Sequence, residues 1–151
     1  MSIEERLRED LKDAMRQRDD LRRTTIRFVL AAIQNEQIAR QKPVDDVAVL
    51  DVLSRMVRQH QESITEFKKG NRQDLVDKEE AELVIIRRYM PQQLSREEIA
   101  ELVRQAIAKT GAKGPSEMGK VMGQVMPQVR GKADGNQVSQ VVAELLGGHS
   151  G

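Results

Sequence analysis

Hydrophobic residues recur along the chain at spacings of three, four and seven, which is the pattern of helices that bury one face. No stretch shows the period of two that indicates a half-buried strand. Four helical segments are expected before Pro91 and three after it. The apolar positions of the first four include Ile3, Leu7, Leu11 and Met15; Leu21, Phe28, Val29, Ala32 and Ile33; Leu50, Leu53, Val57, Ile64 and Phe67; and Leu83, Ile86 and Met90.

Residues that favour helix ends place the boundaries of these segments. Ser2 with Glu5, and Ser95 with Glu98, match the capping box, in which each residue bonds the other's backbone N–H. Gly70 and Gly111 suit helix C-termini, where glycine is common. Further N-caps are expected at Asp20, Asp45 or Asp46, Asn71, Ser116 and Asp134.

The three segments after Pro91 share one pattern, in which successive apolar residues are three, one, three and one positions apart. Each is too short to be a stable helix alone in water, so we expect them to pack on one another. The sequence therefore predicts an all-α protein with two domains. A helical N-terminal domain of about four helices covers residues 1–91, and a compact three-helix domain covers residues 92–151.

Composition narrows the class of protein. Formal net charge is only +1 in 151 residues, so attraction to a polyanion must come from a local patch. There is no Cys, which excludes a disulfide framework and a thiolate site. No apolar run approaches the roughly 20 residues that span a bilayer, and the charged N-terminus has no apolar signal core. We expect a cytoplasmic protein without a membrane partner.

Catalytic and cofactor motifs are not evident. Residues 114–121 match a phosphate loop except at the last position, where Val121 replaces the Ser or Thr whose hydroxyl binds magnesium. No strand precedes the segment either. We therefore favour a loop and cap that begin a helix. His149 lies in the C-terminal tail. We expect His60 to be a packed structural residue, because no carboxylate or nucleophile is placed around it. Too few His or Cys remain for a metal site. No catalytic, cofactor or metal residue is predicted.

An acidic run at residues 77–82 has two interpretations. Asp77, Glu79, Glu80 and Glu82 could bind a hard cation or take part in acid–base chemistry. They could equally form the solvated first turns of a helix, where carboxylates suit the helix dipole. The second interpretation is favoured.

A basic stretch, residues 109–132, holds five Lys or Arg and one Glu, a local net charge of +4. Within this stretch Gly119 and Gly123, four residues apart, leave one edge of the expected helix without side chains. That edge could serve tight helix packing, or it could admit a phosphate backbone that the basic residues neutralise. The sequence leaves both open. Because the C-terminal domain has no aromatic residue, an RNA partner would be recognised by shape and phosphates rather than by base stacking.

Several short stretches resemble the GatB/YqeY family. They are LAAIQNE (30–36), ESITEF (62–67), RQDL (72–75) and YMP (89–91), then MGKVM (118–122) followed by GKAD (131–134). His60-Gln61 departs from the basic residues expected there in relatives. The resemblance implies two helical domains, the second similar to the tail of the B subunit of the tRNA-dependent amidotransferase, which contacts tRNA. With the loop residue Lys113, the candidate RNA contacts are Gly119, Lys120, Arg130, Gly131 and Lys132.

Three functions remain open. The first is a tRNA-binding accessory protein without catalytic activity of its own. The second is a helical module that docks on a larger enzyme, such as a tRNA-charging enzyme or an amidotransferase. The third is an amidotransferase component, a carbon–nitrogen ligase using glutamine, which would rest on kinship only. No DNA partner is expected.

Overall fold

The structure is a computed structural model that describes residues 1–147. It confirms the all-α prediction, and the described residues contain no strand. No helix among them is long and apolar enough to cross a membrane. The helices are α1 (Ile3–Arg16), α2 (Asp20–Arg40), α3 (Asp46–Lys69), α4 (Gln73–Arg87), α5 (Arg96–Thr110), α6 (Met118–Val129) and α7 (Gly135–Leu145), with a 3-10 turn at Pro115–Glu117.

The first compact unit, Met1–Pro91, contains α1 to α4. Its core takes one apolar stripe from each helix. Each fully buried Leu or Ile in this core stabilises the folded state by roughly 1.5–3 kcal/mol relative to an exposed side chain. Phe28 was expected among the apolar positions of α2, but its side chain is 58% exposed. The core residues are Leu7, Ile26, Val29, Ile33, Val49, Val52, Leu53, Ile85, Ile86 and Tyr89.

The second unit, Gln92–Gly151, contains α5, α6 and α7, which pack pairwise on one another. Met118, Met122 and Met126 lie half-buried beside its core, so the methionine stripe belongs to the packing of this unit. Its core is small and mostly Val: Ile99, Ala100, Val103, Ala106, Ala112, Val121, Val125, Val129, Val138, Val141, Val142 and Leu146.

Most predicted caps are found. The capping box of Ser95 and Glu98 is complete, and Gly111 ends α5 in the left-handed region at φ 70°. Ser2, Asp45 and Asp134 each accept a hydrogen bond from a backbone N–H of the first helical turn. These local interactions satisfy N–H groups that have no partner within the helix.

The predicted cap at Asp20 is wrong, because Asp19 caps α2. Its Oδ1 accepts a hydrogen bond from the N–H of Arg22 at 3.1 Å, while Asp20 is already the first helical residue. Arg18, at φ 55°, takes the left-handed conformation that turns the chain just before. Both adjacent aspartates have a carboxylate oxygen that could cap the helix. The turn before them decides which one lies at the position outside the first helical residue.

Two further predicted caps are also wrong. Asn71 is the left-handed residue between α3 and α4, at φ 56°, whereas Gly70 has φ −86°. Asn tolerates that conformation better than most residues, so it turns the chain instead of capping α4. Ser116 lies inside the 3-10 turn and makes no capping hydrogen bond at the start of α6.

Tyr89 joins the end of α4 to α1. It is 6% exposed, and its hydroxyl donates a 2.5 Å hydrogen bond to the Asp10 carboxylate. The Arg6 guanidinium lies 5.2 Å from the centre of its ring, within the range of a cation–π contact. Burial, and next the hydrogen bond to Asp10, raise the pKa of Tyr89 well above its ordinary value, because both disfavour the phenolate.

This arrangement makes the titration of Tyr89 a test of the N-terminal fold. It is the one tyrosine of a chain without tryptophan, so tyrosinate absorbance reports on it alone. In the folded chain we expect a midpoint above the ordinary pKa of about 10, shifted back down by Asp10→Asn. The unfolded state loses this proton first, so the contribution of Tyr89 to the free energy of unfolding should be constant below about pH 10 and fall above it. A folded-state midpoint at or below 10 would contradict the buried hydrogen bond.

Candidate nucleic-acid interface

The two glycines of α6 lie on an open face of that helix. Val121, Val125 and Val129 turn the opposite face into the core, and Gly119 and Gly123 are exposed. Apart from the helix's own backbone, a Cβ built on either glycine meets no atom within 4 Å. Tight helix packing would place atoms there, so within the C-terminal unit these glycines do not serve it.

Lys120 and the loop residue Lys113 are brought together by Glu117. One carboxylate oxygen of Glu117 accepts the backbone N–H of Lys113, and the other lies 3.3 Å from the Lys120 Nζ. The hydrogen bond from Lys113, and next that from Lys120, hold the pKa of Glu117 below its ordinary value. Glu117 is therefore ionised at neutral pH. Because the Lys120 side chain is 64% exposed, water screens this pair and a stronger anion can replace the carboxylate.

The loop between α6 and α7 is held in place by the segment before α5. The backbone N–H of Leu94 donates to the Lys132 carbonyl at 2.8 Å, and the Gln93 amide donates to the Gly131 carbonyl at 3.0 Å. The Lys132 N–H also donates a hydrogen bond to the Val129 carbonyl at 2.7 Å, at the C-terminal end of α6. The loop backbone is thus fixed, and Arg130 and Lys132 are both exposed residues of this loop.

The six residues predicted from the sequence do not form one cluster. Lys113 and Lys120 share Glu117 near the start of α6, and Arg130 and Lys132 follow its end. Arg130 follows Lys120 by ten positions, which is about 15 Å along the helix axis. The basic groups therefore lie at both ends of α6, with Gly123 between them and Gly119 next to Lys120.

Gly131 differs from the other five candidates because it is buried. Its φ of 78° lies in the left-handed region, which glycine adopts without steric cost. Its carbonyl is used by Gln93. Gly131 is therefore required by the conformation of the loop. Because it is buried, it offers little surface for direct contact with a ligand.

Pro127 adds a polar atom to the open face. It lies inside α6, four residues after Gly123, and is exposed. Proline has no backbone N–H, so the Gly123 carbonyl cannot receive the helix hydrogen bond that residue 127 would otherwise donate. The Gly123 carbonyl therefore lacks the backbone N–H donor that a helix carbonyl ordinarily has four residues later.

A second polar cluster, in the N-terminal unit, was missed by the sequence analysis. His60 Nε2 lies 3.3 Å from an oxygen of Glu79 and 3.8 Å from one of Glu82. The expectation that no carboxylate surrounds His60 is therefore wrong. The solvated interpretation of the acidic run is also wrong for these two glutamates, since Glu82 is buried and Glu79 half-buried. His149 lies outside the described residues.

The phosphate-loop match at residues 114–121 behaves as the sequence analysis favoured. The segment is a 3-10 turn followed by the first residues of α6, and the element that precedes it among the described residues is helix α5. The strand that a phosphate loop requires is not part of the described chain.

The family model described as "Yqey-like protein" matches residues 4–146, nearly the whole chain. The chain belongs to that family. The GatB/YqeY resemblance is thereby confirmed.

Relatives of this family member include "Altered inheritance of mitochondria protein 41, mitochondrial" from three yeasts. The protein of Lachancea thermotolerans is 48% identical over 87 residues, covering 57% of this chain and 46% of that protein. The Eremothecium gossypii protein is 48% identical over 85 residues, covering 56% and 46%. The Kluyveromyces lactis protein is 40% identical over 113 residues, covering 73% and 61%. The chain thus spans about half to three-fifths of these relatives.

The names of these relatives contradict the expected cytoplasmic location, since all three are called mitochondrial. The expectation rested on a missing apolar signal core. That criterion tests for secretion alone, because mitochondrial transit peptides are amphipathic and rich in Arg rather than apolar. The prediction of a cytoplasmic protein is therefore withdrawn.

The open face predicts the sign of a stability change. Gly119→Ala and Gly123→Ala should each raise the free energy of unfolding by about 0.5–1 kcal/mol, because alanine favours helix and here meets no neighbour. Gly111→Ala is the matched control. It should lower stability, since Gly111 has φ 70°. Urea unfolding followed by circular dichroism measures all three. Loss of stability in both α6 variants would show that the glycine edge is packed.

Proposed function

We propose that this member of the Yqey-like family is an accessory protein that binds folded RNA, with tRNA as the expected class, through its C-terminal unit. Binding would use phosphate contacts and shape rather than base reading. The observation that supports this most directly is the glycine edge of α6, which is open to solvent and has basic residues at both ends.

The arrangement suits a phosphate backbone that runs along α6. Missing side chains at Gly119 and Gly123 let a sugar–phosphate chain approach the helix closely. Lys120 at one end and the Arg130–Lys132 loop at the other would neutralise phosphates about 15 Å apart. The Gly123 carbonyl, which Pro127 leaves without its helix donor, is a suitable acceptor for a ribose 2′-hydroxyl. That last contact would distinguish RNA from DNA.

The fixed loop supports the same proposal. Hydrogen bonds from Gln93 and Leu94 hold the backbone between α6 and α7 before any ligand arrives. Less conformational entropy is then lost on binding than if the loop had to order itself. Participation in amide transfer stays a prediction from kinship, since family membership by itself does not specify the chemistry.

Binding of purified protein to bulk tRNA at roughly 50 and 200 mM salt tests the proposal. Wild type should bind with a steep salt dependence. Changing Lys120, Arg130 and Lys132 together to Ala should weaken binding and reduce the slope of log K against log salt by about two to three, roughly one per lost phosphate contact. An absence of binding at the lower salt would reject the proposal.

A matched control removes the same charge elsewhere. Arg8, Lys12 and Lys69 are exposed residues of the N-terminal unit, each paired with a nearby glutamate. Changing these three to Ala should leave tRNA binding nearly unchanged. Equal losses in both triple variants would point to non-specific attraction and contradict a site on α6.

The glycine variants separate contact from charge. Gly119→Ala and Gly123→Ala keep every charge, and should weaken tRNA binding although they stabilise the fold. Opposite signs for stability and affinity are the expected result. Unchanged affinity in both variants would show that the RNA does not approach the glycine edge.

A second candidate function, a helical protein-interaction module, is favoured by a separate observation. Leu21, Phe28 and Ile38 on α2 are 39%, 58% and 65% exposed, with Thr24, Ala31 and Asn35 between them at alternating spacings of three and four. This stripe has the period of a helix-pairing surface. It predicts a partner whose binding tolerates salt and is lost in Phe28→Ser, while the α6 variants bind normally.

A further inference from the structure

The cluster of His60, Glu79 and Glu82 brings two helices of the N-terminal unit together. His60 lies on α3, and both glutamates lie on α4, three residues apart and so on one face. The ligand atoms of all three side chains are within 4.8 Å of one another. Their convergence is independent of the RNA-binding proposal, which concerns the other unit.

A hydrogen bond fixes which nitrogen of His60 faces the glutamates. Nδ1 lies 2.9 Å from the Met56 carbonyl oxygen. A carbonyl can only accept, so Nδ1 carries a proton and donates it. In the neutral ring Nε2 then presents its lone pair to the two carboxylates. Histidines that bind metals usually show this arrangement, with the second nitrogen donating to a backbone carbonyl.

Glu82 contributes the buried carboxylate of this cluster. Its side chain is 8% exposed, and its ion-pair partner in the described part of the chain is His60, whose Nε2 lies 3.8 Å away, too far for a hydrogen bond. Burial of a carboxylate without a hydrogen bond or a cation is costly. A lone pair and two carboxylate oxygens that converge on one point repel one another unless a positive charge lies between them.

We propose that His60, Glu79 and Glu82 form a binding site for a divalent transition-metal cation. One imidazole nitrogen with two carboxylates suits Zn²⁺, Mn²⁺ or Fe²⁺, whereas Mg²⁺ and Ca²⁺ prefer oxygen alone. Ligands about 2.0–2.2 Å from a tetrahedral Zn²⁺ lie about 3.3 Å apart. The His60–Glu79 distance already matches at 3.3 Å, and the His60–Glu82 distance of 3.8 Å would have to shorten by about 0.5 Å on binding.

The bound cation would join α3 to α4 and leave a coordination position for water. A cation held by the folded state and not by the unfolded chain stabilises the folded state. Binding should therefore be visible both as heat of binding and as a rise in the unfolding temperature of the N-terminal unit.

The test uses untagged full chain freed of metal by chelation, with Zn²⁺ as the probe in titration calorimetry. We expect one site per chain, and a rise in unfolding temperature of roughly 10 °C or more when free Zn²⁺ exceeds Kd about a hundredfold. Mg²⁺ at the same concentration should give no rise. Co²⁺ should bind with the visible absorption of a histidine-containing site of low coordination number.

Matched variants locate the site. His60→Gln, Glu79→Gln and Glu82→Gln should each weaken Zn²⁺ binding roughly tenfold or more. Glu80→Gln removes the same charge from the same turn of α4 at an exposed position and should bind normally. His149→Gln removes the chain's other histidine and should also bind normally. If Glu82→Gln fails to fold, the half-buried Glu79→Gln and the wild-type Co²⁺ spectrum still decide the question.

Three outcomes would overturn the proposal. Wild type that binds no Zn²⁺ at micromolar concentrations would show that the cluster is an imidazolium–carboxylate ion pair. Binding that survives His60→Gln would place the cation elsewhere. Equal binding of Mg²⁺ and Zn²⁺ would indicate that the carboxylates attract cations without selectivity and that the imidazole is not a ligand.

Discussion

Each helix of this chain buries an apolar stripe, and none can bury that stripe alone. The interaction on which everything else depends is therefore the packing of these stripes into two separate cores. In the C-terminal unit the consequence is direct. Val121, Val125 and Val129 occupy the inner face of α6. At 100° per residue, positions two away from Val121 point to the opposite side. Gly119 and Gly123 are therefore placed outward by the same period that builds the core, and the candidate interface follows from the packing.

The number of helices, many of their buried positions and their all-α class could be predicted because periodicity averages over many residues. Single boundaries could not, because they depend on one hydrogen bond. Asp19 and Asp20 offer the same capping oxygen, and the left-handed Arg18 decides between them. Gly70 and Asn71 both tolerate left-handed backbone, and the structure assigns that role to Asn71. In such pairs the sequence contains both solutions, and the geometry of the turn selects one.

The cluster at His60 was hidden for a different reason. Its members belong to two helices, and only the pairing of α3 with α4 brings them together. A signal was nevertheless present in the sequence. Glu79 and Glu82 each precede a buried residue, Leu83 and Ile86, by four positions, which places both on the inward face of α4. A composition-based view of an acidic run overlooks this phase. For Gly131 the difficulty is reversed, since a glycine required by a turn cannot be told from one required by a ligand.

The two candidate sites are recognised by one physical criterion, a local cost without a compensating contact inside the fold. A glycine in an exposed helix is less stable than alanine by about 0.5–1 kcal/mol, and α6 holds two where alanine would fit. A buried carboxylate costs more, and within the described chain Glu82 is offset only by His60, whose Nε2 lies 3.8 Å away and beyond hydrogen-bond distance. Packing explains neither feature. Departures of this kind tend to mark positions where a protein meets something else, because a ligand supplies the contact that the fold lacks. An RNA backbone would do so at α6, and a metal cation between α3 and α4.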